Sequence, residues 1–125
     1  MVTELVAGST RLLIDCDTSQ WCQVTLDANG IHQLGSETRS VLVERLVRGL
    51  RGELSAPTSG ELDGVPVAWV LSLSERHASI YAADREGIRT LYFQDADGKL
   101  IARLDLEREE RERWISILEG ADHRT

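Results

Sequence analysis

The side chains best suited to chemistry are the arginines of one predicted helix. Residues 36–51 hold four arginines against two glutamates, although the whole chain has a net charge of -7. An arginine can hold a carboxylate through two parallel hydrogen bonds. Arg45 and Arg48 are therefore candidate ligands for an anion. The alternative is a solvated helix face that balances acidic neighbours.

Two histidines are the candidates for binding iron. His32 falls on a short predicted edge strand, and His77 falls in a predicted turn over residues 74–77. Neutral imidazole is a common ligand of metal ions and of haem iron. The alternative for each histidine is an exposed side chain that binds nothing.

No group of residues has the pattern of a catalytic site. Asp15, Asp17 and Asp27 flank predicted turns, where aspartate is expected because its carboxylate bonds nearby backbone N–H groups. No phosphate-binding loop, HExxH motif or Ser-His-Asp pattern is found. The cysteines and histidines lack the spacing of a metal site. We expect a non-catalytic protein without a resident metal.

Cys16 and Cys22 lie six residues apart on neighbouring strands of a predicted hairpin. In a reducing cytosol two free, partly buried thiols are the expected state. A disulfide across the hairpin is the alternative.

Length and charge limit the class of protein and of partner. A chain of 125 residues is expected to form one domain, spanning 1–125. The net charge of -7 disfavours nucleic acid or an anionic membrane as a partner and suits a basic protein surface. The first ten residues lack the basic and apolar regions of a signal peptide, and no apolar run is long enough to span a membrane. We expect a cytoplasmic protein.

The apolar pattern predicts seven strands and two helices. The strands are expected at 11–16, 21–27, 31–34, 65–74, 78–84, 88–94 and 100–106. The helices are expected at 37–51, with Ser36 as N-cap, and at 107–119; residues 52–64 are predicted to be a loop. The order βββ-α-loop-ββββ-α indicates an α+β domain. It would hold a mainly antiparallel sheet of six to seven strands, with two helices packed on one face.

Two similar turns stand at matching positions. Residues 27–30 and 95–98 read DANG and DADG, and each is followed by a strand and then a helix. The match indicates either an internal duplication or chance, since such turns are common.

The hairpin at 88–106 is predicted to leave one sheet face open. Side chains of a strand alternate between faces. The core face would carry Leu91, Phe93, Leu100, Ala102 and Leu104, with Arg89 at its open end, where the guanidinium can reach water. The second face would carry Thr90, Tyr92, Ile101 and Arg103. An open, half-apolar face is a usual site of association. We therefore predict a homodimer in which this face meets itself.

The same hairpin resembles the C-terminal hairpin of the bacterial haem-utilisation (hemin-degrading factor) family. In that family an Arg-x-Leu-x-Phe strand precedes a Gly turn, a second strand and a helix with Trp. The matching residues are Arg89, Leu91, Phe93, Asp95, Gly98 and Trp114. The resemblance covers about a third of the chain.

The resemblance implies a haem or another flat anionic ligand between the sheet and a helix. Arg45 and Arg48 would then bind carboxylates, and His77 or His32 would be the iron ligand. The alternative is a protein–protein interaction module, similar to acidic secretion chaperones or toxin-immunity proteins.

Overall fold

Two units of the same element order make up the chain. The computed structural model describes residues 1–54 and 60–123, and side chains as far as Gly120. The first unit contains β1 (Val2–Ala7), β2 (Thr10–Cys16), β3 (Trp21–Asp27), β4 (Ile31–Thr38) and α1 (Arg39–Arg51). After a hairpin of β5 (Glu61–Leu62) and β6 (Val65–Pro66), the second unit contains β7 (Ala68–Ser72), β8 (Ser79–Arg85), β9 (Ile88–Gln94), β10 (Leu100–Leu106) and α2 (Arg108–His123).

The expected α+β class is confirmed, with more strands than expected. Each unit forms a four-stranded antiparallel sheet, in the orders β1-β2-β3-β4 and β10-β9-β8-β7. Both helices pack on the core side of these sheets, α1 against β7, β8 and β4 and α2 against β1, β9 and β10. Within residues 1–54 and 60–123, neither helix is long and apolar enough to cross a bilayer.

The first strand was missed by the sequence prediction. In β1 only Leu5 and Ala7 are buried, while Val2 and Val6 are exposed. Its apolar pattern is therefore too weak to predict a strand. The pairing with β2, from Val2 opposite Asp15 to Ala7 opposite Thr10, holds it in the sheet.

The expectation of free thiols at Cys16 and Cys22 is wrong. The two residues lie directly opposite each other in the β2–β3 pair and form a disulfide. Both side chains point into the core, beside Val24 and Ile14. The register of the hairpin is the physical reason, because it brings the two sulfur atoms together on one face.

The two sheets are joined where β4 meets the end of the β7 segment. The N–H of Ser36 donates to the carbonyl of Ser74 at 3.1 Å, and the N–H of Ser74 donates back at 3.0 Å. Ser36 is thus a strand residue and not the predicted N-cap. The helix begins three residues later, at Arg39, with Thr38 as N-cap.

The hairpin of β9 and β10 is confirmed. Asp95 accepts hydrogen bonds from the N–H groups of Asp97 and Lys99 at 2.9 Å each, and Gly98 has a φ of 82°. Leu91 and Phe93 are fully buried. A register shift between Leu100 and Ala102 turns Leu100 outward, contrary to the prediction.

The strand predicted at 65–74 is divided in two. Val65–Pro66 pairs with Glu61–Leu62 in a separate hairpin, and β7 lies at the edge of its sheet. The predicted loop 52–64 is therefore partly strand; its residues 55–59 lie outside the described part of the chain.

Replacement of Phe93 by Ala should lower the free energy of unfolding by about 3–5 kcal/mol, because it truncates a fully buried aromatic side chain. Denaturant unfolding measures the loss. Leu100→Ala on the same hairpin is the control and should cost less than about 1 kcal/mol, since Leu100 is exposed. Equal losses would contradict the observed register.

Candidate functional site

Arg45, one of the two arginines expected to bind an anion, forms contacts within the protein instead. Arg45 Nε donates to the carbonyl of Val70 at 2.6 Å, and Nη2 donates to that of Trp69 at 3.1 Å. Its guanidinium also lies 5.0 Å from the centre of the Trp69 ring. These contacts tie α1 to the edge strand β7.

The other expected ligands do not converge with Arg45. Arg48 pairs with Glu44 at 3.7 Å, one turn away on the same helix. His32 is half-buried on β4, and His77 is exposed in the connection after β7, with a φ of 58°. Neither histidine lines the largest described cavity.

The expected interface residues are mostly inside the protein. Thr90 and Tyr92 are fully buried, and Ile101 packs against the main core. Arg103 is exposed, and its guanidinium donates to Asp63 at 3.0 Å and to Asp105 at 3.1 Å.

The β5–β6 hairpin is the reason that this face is covered. Leu62 and Val65 pack on a small second core that contains Tyr92. Asp63, in the turn of the hairpin, binds Arg103 on β10. The open face that the dimer prediction assumed is therefore not open around Thr90 and Tyr92.

A different set of residues surrounds the largest described cavity, which measures about 920 Å³. It lies between the end of α1, one face of α2 and the turn that joins β8 to β9. Its lining consists of Arg51, Asp84, Gly87, Arg89, Arg111, Glu112, Ile115, Ser116, Glu119 and Gly120. Charged side chains therefore dominate the wall.

Arg89 is the unusual member of this set. It projects from the core face of β9, and its side chain is only 14% exposed. Its nearest carboxylate, Asp84, lies 3.8 Å away on the neighbouring strand. Within the described residues, its buried Nε has no hydrogen-bond partner.

The end of α1 is shaped to admit this guanidinium. The helix ends in a left-handed turn at Gly52, whose φ is 73°. A Cβ at this position would overlap Arg89, with Cζ only 3.1 Å away. Glycine is thus needed both for the turn and for the close approach of Arg89.

Two of the three carboxylates on the wall, those of Glu112 and Glu119, have other cationic partners. Glu119 accepts hydrogen bonds from Arg51 Nη2 at 2.9 Å to each oxygen, and Glu112 pairs with Arg108 at 3.2 Å. Among the described side chains, Arg111 forms no ion pair. The cavity therefore contains two arginines, Arg89 and Arg111, whose guanidinium groups form no hydrogen bond to a carboxylate in the described part of the chain; Asp84 lies 3.8 Å from Arg89.

Burial lowers the pKa of the Arg89 guanidinium below its ordinary value. Asp84 opposes this change, and the nearby charge of Arg111 adds to it. Arginine nevertheless keeps its charge inside proteins. A buried charge without a close partner is costly, and an anion in the cavity would reduce that cost.

A haem does not fit this cavity. Its lining has no histidine, cysteine, methionine or tyrosine to ligate iron, and no aromatic ring to stack on a flat ligand. Elsewhere in the described part, no group of three or more His, Cys, Asp or Glu is placed to hold a metal ion.

Sequence reasoning placed Arg89 at the open end of the hairpin, but it did not connect Arg89 with Arg51 or Arg111. One signal was available: Arg89 occupies a core-face position on a strand otherwise filled by Leu91 and Phe93. The approach of α1 and α2 could not be read from local pattern.

Comparison with family models, curated proteins and solved structures finds no match to this chain. The haem-utilisation resemblance therefore stays a prediction.

Replacement of Arg89 by Met should leave the free energy of unfolding unchanged or raise it, because it removes a poorly paired buried charge while keeping the side-chain volume. Arg45→Met is the matched control. It should lose about 1–3 kcal/mol, since two backbone carbonyls lose their donor. Thermal and denaturant unfolding of both variants measures the difference. A loss at Arg89 as large as that at Arg45 would mean that Arg89 serves stability.

Proposed function

We propose that this is a small non-catalytic binding protein that holds an anionic ligand in the cavity around Arg89. The observation that carries the proposal is the buried guanidinium of Arg89, which lines this cavity. Among the described residues its Nε has no hydrogen-bond partner, and its nearest carboxylate, Asp84, lies 3.8 Å away, beyond hydrogen-bond distance. Arg111 adds a second charge on the same wall.

The energetics favour a ligand over a purely structural role. Folding already includes the unfavourable free energy of removing Arg89 from water, and Asp84 at 3.8 Å offsets only part of that free energy. An anion that accepts hydrogen bonds from the exposed edge of the guanidinium would gain charge-assisted bonds at little further cost. A preformed site of this kind binds tightly because it pays little for reorganisation.

The lining also limits the kind of ligand. Small-molecule sites are commonly a few hundred to about 1,000 Å³ in volume, and this cavity lies in that range. Its walls are mainly charged, with Ile115 as the one large apolar side chain among the lining residues. These features favour a hydrophilic anion over a flat aromatic one.

Acetate or inorganic phosphate, titrated at low ionic strength and followed by calorimetry or amide chemical shifts, should bind the wild type. Arg89→Met should weaken binding by roughly tenfold or more, the usual effect of losing hydrogen bonds to a charged group. Arg48→Met is the control, and it should bind as the wild type does because Arg48 is absent from the lining.

Weaker binding in the Arg48 variant with no loss in the Arg89 variant would instead support the helix site expected from the sequence, and equal loss in both would mean a general charge effect and contradict the proposal. Haemin is the third probe of the same series. A Soret shift that disappears in His32→Ala or His77→Ala would favour haem binding and contradict the anion proposal.

A protein–protein interaction module is the second candidate, favoured by one aromatic surface. Trp69 is 46% exposed on β7, and its register partner on β8 is Tyr81, which is partly exposed. The β5–β6 hairpin covers the other half of this sheet face but leaves these two rings accessible. Exposed aromatic side chains are enriched at interfaces.

The proposed homodimer interface is therefore the uncovered part of the face, around Trp69 and Tyr81. Sedimentation velocity at micromolar concentration should give a dimer for the wild type and a monomer for Trp69→Glu, because a charge at the centre of an apolar contact is destabilising. Arg76→Glu, an exposed substitution on the β7–β8 connection, should leave the dimer intact. A monomeric wild type would end the dimer proposal.

The cytoplasmic location stays a proposal, and the disulfide opposes it. Disulfides persist in oxidising compartments and are rare in the cytosol. Counting the free thiols of protein taken from its native cells distinguishes the two locations.

A further inference from the structure

The face of α2 that lines the cavity has an ordered sequence of side chains. Arg111, Ile115 and Glu119 follow one another at intervals of four residues and all contribute to the wall. Residues spaced in this way lie on one side of a helix. The two outer positions are two turns apart, or about 12 Å along the axis.

The two ends of this face of α2 differ in whether the arginine there already binds a carboxylate. At one end Arg111 stands near Arg89, and neither has a carboxylate in hydrogen-bonding contact among the described side chains. At the other end Arg51 is already occupied, because Nη2 donates to both oxygens of Glu119 at 2.9 Å. The carboxylate of Glu119 therefore occupies the position at Arg51 where an anionic group of a ligand could bind.

The Arg51–Glu119 pair is easy to replace. Its side chains are 43% and 39% exposed, and ion pairs with such exposure contribute little to stability. Glu119 also lies on the helix surface at the cavity's edge, so it can turn to solvent without disturbing the core.

Between the two ends, the wall holds one large apolar side chain, that of Ile115. Ile115 is partly buried and packs against the main core, so it offers its remaining surface to the cavity. A ligand that lies along α2 would meet a cationic end, an apolar middle and a second arginine.

We infer that the ligand is a dianion whose two charged groups are joined by a short apolar segment, of the α,ω-dicarboxylate class. One carboxylate binds Arg89 and Arg111, and the other displaces Glu119 from Arg51. This inference rests on the proposed function, since it assigns a ligand class to the same cavity. Glu119 acts as a built-in competitor that a ligand with a single charge does not have to displace.

Calorimetric titration with butyrate, glutarate, adipate and suberate tests the inference. At least one dicarboxylate should bind the wild type roughly tenfold tighter than butyrate, the effect of one further set of charge-assisted hydrogen bonds. Arg51→Met should reduce that dicarboxylate to the affinity of butyrate while leaving butyrate unchanged.

Glu119→Gln provides the second arm, because it removes the competing charge and keeps the side-chain shape. It should strengthen dicarboxylate binding several-fold and leave butyrate unchanged. Glu44→Gln on α1 is the matched control, since Glu44 also forms an exposed ion pair with an arginine, Arg48, but does not line this cavity; it should change neither ligand.

Equal affinities for butyrate and every dicarboxylate would overturn the inference while leaving the proposed function standing, provided that butyrate binding depends on Arg89. A gain for butyrate equal to the gain for dicarboxylate in Glu119→Gln would also overturn it, since general electrostatics would then explain both. No binding by any of these probes, nor by phosphate, would overturn the inference and the proposed function together.

Discussion

The seam between Ser36 and Ser74 is the interaction on which the remaining architecture depends. Two backbone hydrogen bonds join the last strand of the first unit to the segment after β7. The N–H of Ala78 adds a third bond, to the carbonyl of Leu34 at 3.2 Å. Gly35 permits this approach, because a Cβ there would overlap the carbonyl of Ser74 and lie 2.8 Å from the Cβ of Leu73. The seam holds the two sheets together where they contribute side chains to one core.

Because the sheets are joined, each helix packs against strands of both units. Each lies against the last strand of its own unit and the first strand of the other, so one core contains side chains from both units. This crossing brings the end of α1 to the open end of β9, where Gly52 meets Arg89. The charged cavity is thus produced by the way in which the units combine. It is absent from either unit alone, since Arg51 belongs to one and Arg89 and Arg111 belong to the other.

Local chemistry was enough to predict the hairpin of β9 and β10, but it was not enough to predict the site. Asp95 and Gly98 define their turn by their own backbone and side-chain bonds, and the alternation through Phe93 follows from strand geometry. Ser36 has the side chain of an N-cap, yet a partner 38 residues away makes it a strand residue. Tyr92 lies on the sheet face that the sequence predicted to be open, but the short hairpin of β5 and β6 covers it. The cavity forms where three segments that are distant in sequence come together. The apolar periodicity of one segment does not predict its contacts with another.

The hydrogen bond from Trp114 to the edge of the first sheet has a consequence for aggregation. β1 is an outer strand, and the unpaired backbone groups of such a strand are a template on which another chain can add. Trp114 Nε1 donates to the carbonyl of Val6 at 2.9 Å, while its ring is almost fully buried under α2. The anchor of the helix therefore also closes part of the exposed edge. Any loosening of α2 would free this edge next to the side chains of Val2 and Val6, which are already exposed. Docking of the helix therefore protects the chain against self-assembly.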